Sequence, residues 1–141
     1  MILLDTNVLI YGFDPRAPLH SWAAGIIRSA ILGEGAAINP VILTEYLVGE
    51  QTPETAIARF DALGFSILDL PAAASLRCAH AYAAYLENRR QQSAATNLKL
   101  PLPDFFIGAH ASILNLSLAT ADVSRYQRYF PEVRLLTPHN D

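Results

Sequence analysis

Short apolar runs alternate with helix-spaced stretches along the whole chain. Ile2-Leu3-Leu4 is continuous and apolar and ends in Asp5, which predicts a strand buried on both faces with its carboxyl end at a polar edge. From Pro18, apolar Trp22, Ile26, Ile27 and Ala30 recur at helical spacing until Gly33-Glu34-Gly35 supplies a stop. Ala36-Ala37-Ile38 reads as a second strand. Asn39-Pro40 then starts a helix, because asparagine caps free N–H groups and proline sits where none is needed; that helix carries Val41, Ile42, Glu45 and Tyr46. Pro53 opens another helix through Leu63, closed by Gly64 and followed by a third strand, Phe65-Ser66-Ile67-Leu68. Pro71 precedes a long alanine-rich helix reaching to about Arg90.

The stretch from Asn88 to Leu102 is polar and closes with Pro101-Leu102-Pro103, so it reads as a long loop. Pro103-Asp104 starts a helix to Asn115, Leu116-Ser117-Leu118-Ala119 makes a fourth strand, Asp122 opens a short helix, and Val133-Arg134-Leu135-Leu136 is a fifth strand. Strict alternation of strand and helix predicts an α/β fold: a three-layer α/β/α sandwich around a mainly parallel five-stranded sheet with right-handed crossovers.

Composition sharpens this picture. With 141 residues, 52% apolar and 16% charged, the chain holds ample core material for one domain over residues 1–141. Some of that apolar surface is available for self-association. Cys78 is the single cysteine, which excludes an internal disulfide and a cysteine-based zinc site. With no signal-peptide pattern after Met1 and no apolar run of membrane-spanning length, a cytoplasmic location is expected. Ten Lys and Arg against thirteen Asp and Glu give a net charge of −3, so nucleic-acid binding would need a local basic patch.

In an open parallel sheet, function collects beyond the carboxyl ends of the strands. Asp5 ends the first strand, Glu45 lies on the helix after the second, Asp104 stands at a helix start, and Asp122 follows the fourth strand. Converging carboxylates raise one another's pKa unless a cation neutralises them, and an all-oxygen site suits Mg²⁺ or Mn²⁺. Such an ion activates water for attack on a phosphodiester. Taken singly, Asp104 and Asp122 are better explained as helix caps, and Glu45 is open to reading as a surface glutamate.

Four blocks carry a closer resemblance: Leu4-Asp5-Thr6-Asn7-Val8-Leu9-Ile10, the run Asn39 to Leu47, Pro103-Asp104-Phe105-Phe106-Ile107-Gly108-Ala109, and Leu118-Ala119-Thr120-Ala121-Asp122 with Tyr129-Phe130-Pro131 behind it. In this order the chain resembles PIN domains, most closely the ribonuclease toxins of VapC type. The resemblance implies an endoribonuclease in which Asp5, Glu45, Asp104 and Asp122 hold Mg²⁺ or Mn²⁺, directly or through water. Thr120 matches a hydroxyl position supporting the last acid, and Asn7 a small polar position that positions the site or contacts substrate. It further implies the toxin role in a type II toxin–antitoxin pair, with RNA as substrate, a cognate antitoxin as partner and a homodimer as the assembly. Phe105-Phe106 depart from the smaller aliphatics frequent there.

Arg89, Arg90 and Lys99, in or beside the long loop, are candidates for RNA backbone contact, as are Arg16, Arg125 and Arg128 more weakly; a solvated helix end explains the first two equally well. The four histidines share no ligand spacing, and Gly108, one turn beyond Asp104, suits close packing or substrate approach. Cys78 and Trp22 read as core. Three other readings stay open: an RNA-processing PIN nuclease that is not a toxin, a catalytically silent PIN-fold binding module, and a phosphotransferase of the haloacid dehalogenase type. The last expects a second aspartate where Asn7 stands.

Overall fold

The structure is a computed structural model that describes residues 1–92 and 102–138. Strand β1 (Ile2–Leu4) is followed at once by helix α1 (Thr6–Gly12), then α2 (His20–Leu32), β2 (Ala36–Ile38), α3 (Pro40–Val48), α4 (Pro53–Ala62) and β3 (Ser66–Ile67). The second half runs α5 (Ala74–Gln91), α6 (Leu102–Leu114), β4 (Ser117–Ala119), α7 (Val123–Tyr129) and β5 (Leu135–Leu136). All strand pairs are parallel, in the order β3-β2-β1-β4-β5. Among the described residues, seven helices flank this sheet, giving the α/β/α architecture expected from the alternation of elements.

Leu3, Leu4, Ala37, Ile38, Leu118 and Ala119 are wholly or almost wholly buried, as continuous apolar strands covered on both faces must be. Chain order reverses between β1 and β4, the position at which ligands bind in open parallel sheets. Leu4 stands opposite Ala119, so Asp5 and Thr120 emerge side by side at the same edge. Asp5 N–H donates to Ala119 O at 2.9 Å, extending the pairing to the residue that carries the carboxylate.

The structure differs from the sequence reading at particular elements. Helix α1 was not expected; Asp5 caps it by accepting from Thr6 N–H at 2.8 Å, and its apolar Val8 and Leu9 are buried. Helix α5 runs to Gln91, close to the expected end at about Arg90, so the start of the Asn88–Leu102 stretch, also read as loop, is helical. The rest of that loop, Lys99 included, lies outside the described residues. Strands β3 and β5 are two residues long against the four expected: the paired residues are Ser66–Ile67 and Leu135–Leu136, with Leu68 and Arg134 adding a single backbone bond each.

Aromatic side chains fill the space under the helices. Phe13, Tyr46, Phe60 and Phe65 form one chain of ring contacts. Tyr82, Tyr85, Phe105, Tyr129 and Phe130 form another. Phe105 is therefore core, and full burial of such a ring stabilises by about 1.5–3 kcal/mol. Gly108 allows Phe130 to approach α6: a Cβ there would lie 2.4 Å from Phe130 Cδ2.

Candidate metal centre

Asp5 is the anchor. Its carboxyl is 4% exposed and accepts four hydrogen bonds. Oδ1 takes Thr6 N–H at 2.8 Å, and Oδ2 takes the Thr120 hydroxyl at 2.8 Å, the Tyr126 hydroxyl at 3.2 Å and Asn7 Nδ2 at 3.3 Å. Donors of this kind stabilise the carboxylate, and the Arg125 charge adds to them. Burial is the larger effect and holds the pKa above the usual aspartate value.

Thr120 and Asn7 each join two strands' ends. The Thr120 hydroxyl donates to Asp5 and accepts from Asp122 N–H at 2.9 Å. Asn7 Oδ1 accepts from Ala121 N–H at 3.0 Å while its amide faces Asp5. Both ends of the Asn7 amide are thus engaged within the site.

Glu45 reaches the cluster from α3. The Thr6 hydroxyl donates to its Oε1 at 2.9 Å. Partial burial of the carboxyl, with the negative charges of Asp104 and Asp5 nearby, raises its pKa. The helix is set in place by Asn39, whose Oδ1 accepts from Ile42 N–H at 2.9 Å. Asn39 Nδ2 lies 3.0 Å from His110 Nδ1 on α6, the helix that carries Asp104. That contact makes Nδ1 the acceptor, and burial lowers the His110 pKa, so the ring is neutral.

Asp104, in the first turn of α6, has its pKa raised by burial and by Asp122. Asp122 precedes α7 but its side chain does not cap it. Both acids turn instead to Arg125: Nη1 lies 3.3 Å from Asp104 Oδ2 and Nη2 lies 2.8 Å from Asp122 Oδ2. The guanidinium also lowers the pKa of Asp5 and Glu45, so one positive charge serves all four acids. Sequence reasoning gave Arg125 only a weak RNA-contact role and passed over Tyr126. Their signal was spacing, since residues three and four beyond Asp122 share its side of α7.

The remaining candidates stand apart from the acids. Arg89, in the last turn of α5, donates to Tyr85 Oη at 3.5 Å, and exposed Arg90 pairs with Glu87. Arg16 is 93% exposed and pairs with Asp14 at 3.5 Å. It lines a groove of about 590 Å³ that opens beside Glu45, with Asp14, Tyr46 and Glu50 on its walls.

Among the described residues, no three His, Cys, Asp or Glu side chains are gathered closely enough, as placed, to enclose a metal ion. The guanidinium, which draws Asp104 and Asp122 to itself, stands as their counter-charge. The donors themselves fit a hard divalent cation, because all four are carboxylates and three have raised pKa values that a cation would relieve. Asp5 is the buried member of the set, Asp104 is half-buried, and Glu45 lies on the solvent side.

No curated protein matches the sequence. Among solved structures, the chain is similar to VapBC2 from Rickettsia felis bound to a DNA fragment from their promoter, at 21% identity and TM-score 0.65, over 97% of this chain and 98% of the other. FitAcB from Neisseria gonorrhoeae aligns at 22% identity and TM-score 0.65 over 100% of both chains. The sarcin-ricin-loop-cleaving toxin VapC20 from Mycobacterium tuberculosis aligns at 14% identity and TM-score 0.65, over 95% and 99%. These likenesses concern the fold. The sequence model of the PIN domain matches residues 2–130, nearly the whole chain, and the chain belongs to the PIN domain family.

Proposed function

We propose that the chain is a Mg²⁺- or Mn²⁺-dependent endoribonuclease and the toxin of a toxin–antitoxin pair, acting in the cytoplasm as a homodimer. The observation that supports this reading is that Arg125, beyond the carboxyl ends of β1 and β4, pairs with Asp104 and Asp122 and acts electrostatically on Asp5 and Glu45. Asp5 and Asp104 would hold the ion, with Glu45 and Asp122 contributing directly or through water. An ion bound there supplies activation of a water and a counter-charge for the phosphodiester.

The chain's own residues do the rest. Thr120, Asn7 and Tyr126 fix Asp5 so that its oxygens face the cluster in one orientation, which lowers the reorganisation the reaction needs. Water adds to phosphorus as the 3′ oxygen leaves, giving a 5′-phosphate and a 3′-hydroxyl. Arg89, Arg90 and Lys99 are the proposed RNA backbone contacts. The groove beside Glu45 carries Asp14, Glu45 and Glu50 against Arg16 on its walls, an acidic balance that suits a basic protein segment better than a phosphate backbone. An antitoxin segment of that charge is the occupant this reading assigns.

Cleavage of structured RNA with Mg²⁺ or Mn²⁺, with and without chelator, tests the proposal. Loss of cleavage on chelation and in Asp5→Asn and Asp104→Asn is expected; chelator-insensitive cleavage, or full activity in both variants, would contradict it.

A further inference from the structure

We propose that Arg125 is an exchangeable counter-cation, holding Asp104 and Asp122 in the metal-free protein and giving them up when a divalent ion enters. This inference rests on the metal reading above. Two nitrogens of the guanidinium contact one carboxylate each, at 3.3 and 2.8 Å, and the side chain is only 16% exposed. Its third donor, Nε, is buried and has no hydrogen-bond acceptor among the described residues. Arginine so enclosed needs a compensating interaction, and the two acids supply it.

The groups facing the guanidinium are Asp122, Asp104, Tyr126 and Asp5, in falling order of electrostatic influence. Asp104 and Asp5 belong to the set proposed to hold the ion. A guanidinium and a divalent ion repel, so they cannot both draw on the same oxygens at full strength. Asp104 and Asp122 each meet Arg125 through Oδ2, and the long side chain projects from the seven-residue helix α7. The exchange is a swing of this side chain away from the two carboxylates. The opposite arrangement, a permanent outer prop that orients the acids for the ion, makes the contrary forecast.

Titration calorimetry of the full chain with Mn²⁺ alone, without RNA, separates the two. Arg125→Gln is expected to bind Mn²⁺ about tenfold more tightly than wild type, equivalent to about 1.4 kcal/mol. Arg125→Lys, which keeps the charge but cannot bridge two carboxylates, should fall between them. Without metal, Arg125→Gln should melt below wild type, and saturating Mn²⁺ should raise its melting temperature by more than it raises that of wild type. If Arg125→Gln does not fold, the lysine variant decides alone. Unchanged or weaker Mn²⁺ binding in the variants, with wild type binding normally, would overturn the exchange and leave the metal reading intact. Absence of Mn²⁺ binding in wild type and variants would overturn both.

Discussion

Replacing Thr120 with valine exchanges one hydroxyl for a methyl group and leaves the side chain's shape. Thr120 is wholly buried, so no water can take the place of the lost oxygen. Two bonds go: the donation to Asp5 Oδ2 at 2.8 Å and the acceptance from Asp122 N–H at 2.9 Å. A hydrogen bond to a charged group contributes about 1.5–3 kcal/mol, and an orphaned backbone N–H costs about 1–3 kcal/mol. The added methyl returns about 0.8 kcal/mol of burial. The net loss is about 2–5 kcal/mol, on the order of a 10 °C fall in melting temperature. Thr120→Ser keeps both bonds and loses one buried methyl, at about 1 kcal/mol. Because Asp5 would also lose its orientation, Mn²⁺ affinity and RNA cleavage should drop about 10–100-fold in the valine variant and stay near wild type in the serine variant. Thermal melts and cleavage rates on both proteins decide the matter. A valine variant as stable and active as the serine variant would refute this role for the hydroxyl.

Other outcomes follow from the same geometry. Gly108→Ala should destabilise by about 1–3 kcal/mol, since its Cβ meets the Phe130 ring at 2.4–2.8 Å; a melt unchanged from wild type would contradict that packing. Glu132 accepts from Arg77 Nε at 2.8 Å and Nη2 at 3.0 Å and from Ser112 Oγ at 2.6 Å, contacts that hold its pKa at about 2. A lowered folded-state pKa contributes stability that is present above the ordinary value of 4.5 and fades as pH falls toward 2. Glu132→Gln should therefore flatten the melting-temperature profile across that window, by under about 1 kcal/mol because the pair is partly solvated. Asp5 has the opposite sign: its raised folded-state pKa gives stability below the unfolded value that is lost as pH rises. Metal-free Asp5→Asn should accordingly melt above wild type at neutral pH while cleavage falls at least about 100-fold; a lower melting temperature would show that the four donors outweigh burial.

Much of the fold was legible because its strands are short, apolar and bounded by helix signals. Asn39-Pro40 is the plainest case, since the expected cap forms at 2.9 Å. Helix α1 was missed because one residue, Asp5, both ends a strand and caps a helix, leaving no turn between them to mark the change. The end strands β3 and β5 were overextended because apolar Phe65 and Val133 are buried without joining the ladder. At the candidate site, the four acids could be named from their positions after strands and at helix starts. Helix capping was the stronger reading for Asp122 taken alone, and the side chain's turn toward Arg125 removes it. Two of the four donors to Asp5, Thr120 and Tyr126, come from more than a hundred positions away, and their convergence depends on β1 and β4 being neighbours. The Asn39 contact with His110 joins two helices in the same way, beyond the reach of local pattern.

Crystals soaked in Mn²⁺ and measured at the manganese absorption edge test the central claim most directly. The account expects one or more anomalous peaks bounded by Asp5 and Asp104, with Glu45 within reach and the Arg125 guanidinium turned away. Occupied manganese elsewhere, or none between these carboxylates while Arg125 still bridges Asp104 and Asp122, would contradict it.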